Sequence, residues 1–195
     1  MADDPRPERK SGSSERHLEE TRVDGAQVFD GALLNVHRDT VQLPSGANAI
    51  REYIVHPGAV LIVPVLADGR LVVERQFRYP LHRVVIEFPA GKLDAGESPL
   101  ATARRELTEE TGYVAARWTH LGLFHPTGSY STEAIEFFIA EDLTHVGRQL
   151  DDGEFLDVAE MTSAEILAAL DRGQLTDAKT VAALFMYLRK RSGPA

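Results

Sequence analysis

A chain of 195 residues, 43% of them hydrophobic, has room for one full domain plus an appendage and has the composition of an ordinary soluble globule. Its formal net charge of −9 excludes the basic footprint of a nonspecific nucleic-acid binder, and the absence of cysteine excludes a disulfide framework, a thiolate metal site and a cysteine nucleophile. An anionic small substrate stays open, because a bound cation and a few arginines invert the local field.

Residues 1–18 are polar, rich in Pro and Ser and poor in large apolar side chains, and so cannot bury enough surface to offset their ordering entropy; a disordered tail is expected. This end lacks the apolar core of a secretory signal, and no segment approaches the length of a membrane span, so no membrane partner and a cytoplasmic setting are expected. Residues 19–56 read as an N-terminal β extension. G-A-L-L-N-V-H-R-D-T-V-Q-L and N-A-I-R-E-Y-I-V-H flank a turn at Pro44-Ser45-Gly46, and the alternation around Val36, Arg38 and Thr40 gives an antiparallel hairpin. Two strands alone are marginal in water. The extension is therefore expected to pack on the main domain or on a second subunit, and a homodimer is the expected assembly.

Residues 57–195 mix strands and helices. A-V-L-I-V-P-V-L-A and L-V-V-E-R-Q-F-R-Y, separated by Asp68-Gly69, read as a hairpin with a favoured turn dipeptide. V-V-I-E-F-P-A follows, then a loop, then a helix opened by Ser98-Pro99 and closed by Gly112. W-T-H-L-G-L-F and E-A-I-E-F-F-I-A are further strands, with Trp118, Phe124, Phe137 and Phe138 as core rather than base-stacking groups. Residues 163–172, with Ser163 as N-cap, and residues 176–191 close the chain as helices. Strands interleaved with few helices indicate α/β or α+β.

The run G-K-L-D-A-G-E-S-P-L-A-T-A-R-R-E-L-T-E-E-T-G-Y, from Gly91 to Tyr113, carries the chemistry. Glu106 and Glu110 fall one helical turn apart on one face, with Glu109 beside them. Carboxylates that close repel one another unless a cation sits among them, and a hard divalent ion that prefers oxygen ligands answers that need. The bland reading is a solvated acidic helix laced by pairs such as Arg105 with Glu109. The fixed positions Gly91, Glu97, Arg105, Glu106, Leu107, Glu109, Glu110, Gly112 and Tyr113 decide against it, because together they resemble the Nudix box.

That resemblance covers roughly residues 30 to 190. It implies an α/β/α sandwich around a mixed β-sheet, and a metal-dependent hydrolase that splits a diphosphate linked to another moiety. Mg2+ is the implied cofactor, with Mn2+ able to substitute. Glu106 and Glu110 are the implied ligands, the carbonyl of Ala90 completes the inner shell, and Glu109 is either a third ligand or binds through water. Glu97 and Arg105 hold the loop against the helix, Arg105 pairing with Glu97 or with Glu109; Gly91 and Gly112 are structural supports. Family members that cleave ADP-ribose use a glutamate from a mobile loop beyond the box. Here L-D-D-G-E-F-L-D-V offers Glu154 first and Asp152 second as the base, against the alternative of a merely solvated turn.

Further motifs resemble the ADP-ribose group. E-R-Q-F-R-Y is similar to a strand whose arginine, here Arg78, reaches substrate phosphate or ribose. R-E-Y-I-V-H-P-G-A-V places Arg51 where it approaches the nucleotide. F-H-P-T-G-S-Y-S-T-E varies an S-P-G-containing element: Gly128 stands near its proline position and Glu133 keeps its acidic one, so sugar-side recognition is the part the resemblance fixes least. The implied reaction is ADP-ribose to AMP and ribose 5-phosphate. The alternatives are a broad nucleoside diphosphate sugar hydrolase, GDP-mannose included, and a non-catalytic nucleotide-sensing module. No Ser-His-Asp arrangement supports a serine hydrolase.

Overall fold

The computed structural model describes residues 15–150, 153 and 155–193, and these fall into two compact units. The first is the chain up to Pro57 together with Thr127–Ala134. After one 3-10 turn at Arg16–Leu18, three antiparallel strands follow one another: β1 (Thr21–Asp30), β2 (Asn35–Gln42) and β3 (Asn48–Val55). The β2–β3 hairpin closes as expected, with Gly46 at φ 85 in its turn and Leu43 N–H donating to the Ala47 carbonyl at 2.8 Å. β1 is a third strand that the apolar pattern does not announce: most of its residues are exposed, and two bulges interrupt its register with β2. Opposite Asp39, β1 carries Gly25, where a Cβ would lie 1.8 Å from the Asp39 Oδ1 atom. Asp39 is fully buried and meets Arg22 Nε at 3.1 Å and the Tyr53 hydroxyl at 2.9 Å, so the small residue makes room for a buried ion pair. Residues 127–134 attach to β3 through Ile54 N–H to the Tyr130 carbonyl and Thr132 N–H to the Ile54 carbonyl, both 2.9 Å.

The second unit is Gly58–Pro126 with the chain from Ile135 onward. It is built on β4 (Ala59–Pro64), whose six residues are all buried. A strand buried on both faces reads as a continuous apolar run. β5 (Leu71–Arg78), β6 (Arg83–Glu87), β7 (Ala90–Lys92), α1 (Pro99–Thr111), β8 (Tyr113–Phe124), β9 (Ile135–His145), β10 (Leu156–Met161), α2 (Ser163–Asp171) and α3 (Ala178–Arg191) follow. A mixed sheet of order β7-β4-β9-β8 holds β4 parallel to β9, and an antiparallel sheet runs β10-β5-β6. One face of β4 packs Val60 and Ile62 against Ala103 and Leu107 of α1. The other packs Leu61 and Val63 with Ile166 and Ala169 of α2 and Ala183, Leu184 and Tyr187 of α3. The result is the α/β/α sandwich around a mixed sheet. Phe124 stacks on Phe137 at 4.3 Å between ring centres, and Trp118 meets Phe138 edge-on, which places all four in the strand packing.

Two local expectations change. The Asp68-Gly69 turn forms, with Gly69 at φ 86, but the arms meet in one bridge, Val65 just past β4 with Leu71 of β5, and the two strands then join different sheets. Residues 71–74 are buried throughout, so each strand maximises burial with other partners rather than with its neighbour in sequence. Ser163 is the first residue of α2, and Thr162 is its N-cap: the Thr162 hydroxyl accepts from Glu165 N–H while the Glu165 carboxylate accepts from Thr162 N–H, a reciprocal capping box. Among the described residues no helix is long and apolar enough to cross a membrane.

Candidate active site

The chemistry-bearing side chains of the second unit sit on α1 and the short strand beside it. α1 starts where the Ser98 hydroxyl accepts from Ala101 N–H at 3.3 Å and Pro99 supplies its first turn. It ends at Gly112, φ 76, in the left-handed region where a Cβ would also lie 2.9 Å from the Arg148 nitrogen. Ala103 and Leu107 face the core and fix the rotation of the helix, which turns Glu106, Glu109 and Glu110 toward β7 and the loop before α1.

Glu110 is 5% exposed, and its Oε2 accepts from Ala90 N–H at 3.1 Å. Gly91 comes next, and a Cβ built there would fall 1.8 Å from the Glu106 Oε1 atom, so this position gives the carboxylate its space. Arg105 binds Glu97 through Nη2 at 3.1 Å and Nε at 3.3 Å, and its Nη1 donates to Glu106 at 2.8 Å and Glu109 at 3.0 Å. Thr102 adds a hydroxyl bond to Glu97 at 2.9 Å. The hydrogen bonds from Arg105 and then Thr102 hold the Glu97 carboxyl below the usual carboxylate range. The Glu97 hydrogen bonds and the Glu106 and Glu109 carboxylates raise Arg105 in turn. Both expected Arg105 pairings therefore form together, and the guanidinium fastens the loop to the helix.

Among the described residues no three carboxylate or imidazole groups converge on one point, because Arg105 lies between Glu106 and Glu109 while Glu110 is turned to Ala90. The donor chemistry nevertheless fits a hard divalent cation. It offers carboxylate oxygens one helical turn apart beside a backbone strand, with space kept for the Glu106 carboxylate by the missing side chain at Gly91.

Arg78, at the end of β5, is gripped by Glu87 through two parallel bonds, Nε to Oε1 at 2.9 Å and Nη2 to Oε2 at 2.6 Å. Lys179 of α3 adds a third bond to Glu87 at 2.7 Å. Glu87 and Lys179 were not singled out from sequence. The available signal was a carboxylate ending the apolar run V-V-I-E-F, at a position that alternation assigns to the core.

The remaining candidates lie in the first unit or outside the described residues. Arg51, on β3, is held by Glu20 through Nε at 2.9 Å and Nη2 at 2.5 Å. Glu133 lies 3.9 Å from His56 Nε2 and donates its backbone N–H to the Ser131 hydroxyl, and Gly128 sits in the turn before it. Asp152 and Glu154 lie outside the described residues.

The family model for the NUDIX domain matches residues 55–184. The ADP-ribose pyrophosphatase of Bacillus subtilis (strain 168) is 39% identical over 176 residues, covering 89% of this chain and 95% of that protein. The methanol dehydrogenase activator of Bacillus methanolicus is 36% identical over 174 residues, covering 88% of this chain and 94% of that protein. Among solved structures, an ADP compounds hydrolase superposes with a TM-score of 0.80 at 26% identity, covering 91% of this chain and 97% of that one.

Proposed function

The chain belongs to the NUDIX family and is a pyrophosphohydrolase of that family, and from this premise we propose that it hydrolyses ADP-ribose to AMP and ribose 5-phosphate with Mg2+. The observation that carries the reading is the fixed set on α1: Glu110 tied to the strand backbone, and Glu106 and Glu109 beside it on a helix locked to its loop by Arg105 and Glu97. Glu106, Glu110 and the Ala90 carbonyl would hold the cation, with Glu109 as third carboxylate directly or through water; a hard divalent ion bound there supplies neutralising charge to the diphosphate oxygens. Mn2+ meets the same oxygen chemistry.

In the reaction, water attacks one phosphorus, the bridging P–O bond breaks, and the proton of the water passes to a carboxylate. Glu154 is the proposed base, Asp152 the second candidate and Glu133 the third. Arg78 is proposed to pair with the diphosphate through the edge that Glu87 does not use, since a guanidinium matches phosphate oxygens in geometry and charge. Arg51, Gly128 and Glu133 are the proposed nucleotide- and sugar-side contacts.

The relative from Bacillus subtilis named for ADP-ribose supports this substrate. A second reading, a broader hydrolase of nucleoside diphosphate sugars, is favoured by the altered order of H-P-T-G-S-Y-S-T-E and by the superposed ADP compounds hydrolase. The enzyme is proposed to be a cytoplasmic homodimer joined through the first unit, where Val23, Val28, Phe29 and Leu33 are all more than half exposed. Turnover of ADP-ribose, GDP-mannose, UDP-glucose and NAD+ with Mg2+, products read by mass, tests the assignment, with Glu106→Gln as control. Strong preference for ADP-ribose, lost in the variant, is expected. Comparable rates on several sugars favour the broader reading, and no turnover in the wild type refutes both.

A further inference from the structure

Val85 and Glu87 are the two buried positions of β6, so Glu87 occupies a site where a strand of this kind ordinarily places a second apolar side chain. Burying a carboxylate is tolerated only when it is paired and hydrogen-bonded. Glu87 meets that condition completely. Its Oε1 and Oε2 take the Arg78 fork at 2.9 and 2.6 Å, and Oε2 takes Lys179 Nζ at 2.7 Å. Lys179 also meets Asp177 Oδ2 at 3.0 Å, and the same oxygen caps α3 by accepting from Thr180 N–H at 2.9 Å. The buried Thr180 hydroxyl then accepts from Phe88 N–H at 3.0 Å, which stitches the start of α3 to the residue after Glu87. The charges alternate along the chain Arg78, Glu87, Lys179, Asp177, and both strand end and helix start are fixed by it.

Stability is a poor reason for such an arrangement, because buried ion pairs are commonly matched or bettered by apolar residues of the same volume. Orientation is a better one. A bidentate carboxylate fixes the plane of a guanidinium. It leaves the Nη1 edge of Arg78, whose side chain is 41% exposed, as the edge Glu87 does not use. Glu110, the buried carboxylate of α1, is among the groups whose charge bears on Arg78.

We propose that Glu87 and Lys179 are positioning residues: Glu87 presets the Arg78 guanidinium toward the substrate diphosphate, and Lys179 holds Glu87 in place. This rests on the reading above that Arg78 meets the diphosphate. A preset arginine loses less side-chain freedom when substrate arrives, so its effect falls on substrate binding rather than on the chemical step.

The test is steady-state kinetics of the full chain on ADP-ribose with Mg2+, for Arg78→Ala, Glu87→Gln, Lys179→Met and the double variant Arg78→Ala/Glu87→Gln. Arg78→Ala is expected to raise KM by about 100-fold, as loss of a charge-assisted pair does. Glu87→Gln is expected to raise KM by about tenfold with kcat held within about twofold. In the Arg78→Ala background, Glu87→Gln is expected to add nothing, since a residue that acts only through another has no effect once that one is gone. The same loss in both backgrounds overturns the proposal, as does no loss in either. If Arg78→Ala leaves KM unchanged, the reading of Arg78 itself fails and the proposal falls with it. If Arg78→Ala raises KM and Glu87→Gln does not, only the positioning role fails. Should Glu87→Gln not fold, Lys179→Met carries the same cycle with Arg78→Ala, with about threefold expected in KM.

Discussion

Gly91→Ala isolates the geometry of the carboxylate cluster from the stability of the fold. Gly91 has no positive φ, so alanine fits its backbone, and the nearest atoms a Cβ would meet there are all in the Glu106 side chain, with Oε1 at 1.8 Å, Cδ at 1.9 Å and Cγ at 2.5 Å. Clearing that overlap moves the carboxylate by more than about 1 Å, at a rotamer cost of about 1 kcal/mol or less. Since a misplacement of about 1 Å at a reacting constellation costs about 100-fold, kcat/KM on ADP-ribose is expected to fall by about two orders of magnitude, or about 2.7 kcal/mol of transition-state stabilisation. Thermal unfolding is expected to stay within a few degrees of the wild type. The assay pairs steady-state rates at saturating Mg2+ with a melt of the same preparation. Wild-type turnover in a folded Gly91→Ala protein would refute the placement of Glu106 in the reacting cluster; a large drop in melting temperature would refute the claim that Gly91 serves the site rather than the fold.

Two further outcomes are expected. Asp39→Ala removes the buried carboxylate that Arg22 and Tyr53 share inside the first unit, and is expected to destabilise that unit by about 3 kcal/mol in urea unfolding, because a half-buried guanidinium and a phenol lose the carboxylate they were packed around; less than about 1 kcal/mol would show that the pair is not worth what the burial of Asp39 implies. Burial pushes Glu87 up, but the Arg78 hydrogen bond together with Lys179 more than offsets it, and Glu97 is lowered by Arg105 and Thr102, so both carboxyls titrate below their ordinary 4.5. A lowered carboxylate contributes stability that is present above its unfolded pKa and lost as pH falls through its folded one. The melting temperature is therefore expected to hold from pH 7 to about 5 and to fall steeply below about 4.5, with a shallower fall in Glu97→Gln. Parallel profiles for the two proteins would remove Glu97 as a source of the acid sensitivity.

The parts legible in the sequence are those in which local chemistry and long-range packing ask for the same thing. Ser98, Pro99 and Gly112 mark the ends of α1 by their own conformational preferences, and the apolar run at 59–64 is a strand under any arrangement of partners. β1 escaped because its exposed, twice-bulged residues leave no alternation to read. Asp68-Gly69 marks its turn in the sequence, but not the pairing of the strands it joins: a turn dipeptide specifies a reversal, not which sheet each arm enters. The Glu87–Lys179 contact spans 92 residues, and nothing local to either side chain declares it. In the site, the helix and its carboxylates were readable from spacing, whereas the joint grip of Arg105 on Glu97, Glu106 and Glu109 depended on rotamers that spacing leaves free.

The parallel pairing of β4 with β9 has a consequence for how the molecule forms. The two strands are joined by roughly 70 residues of intervening chain, and closing so long a loop costs about 4 kcal/mol of entropy before any contact between them repays it. That intervening chain contains the carboxylate helix with its flanking strands, so the reactive segment is synthesised before the strand that completes its sheet. A nascent chain stopped short of Ile135 has α1 for one face of β4 but lacks α2 and α3 for the other, and lacks the neighbour that covers its edge. Folding of this unit is accordingly expected to wait for β9, placing its rate among proteins governed by distant pairings rather than by helix formation.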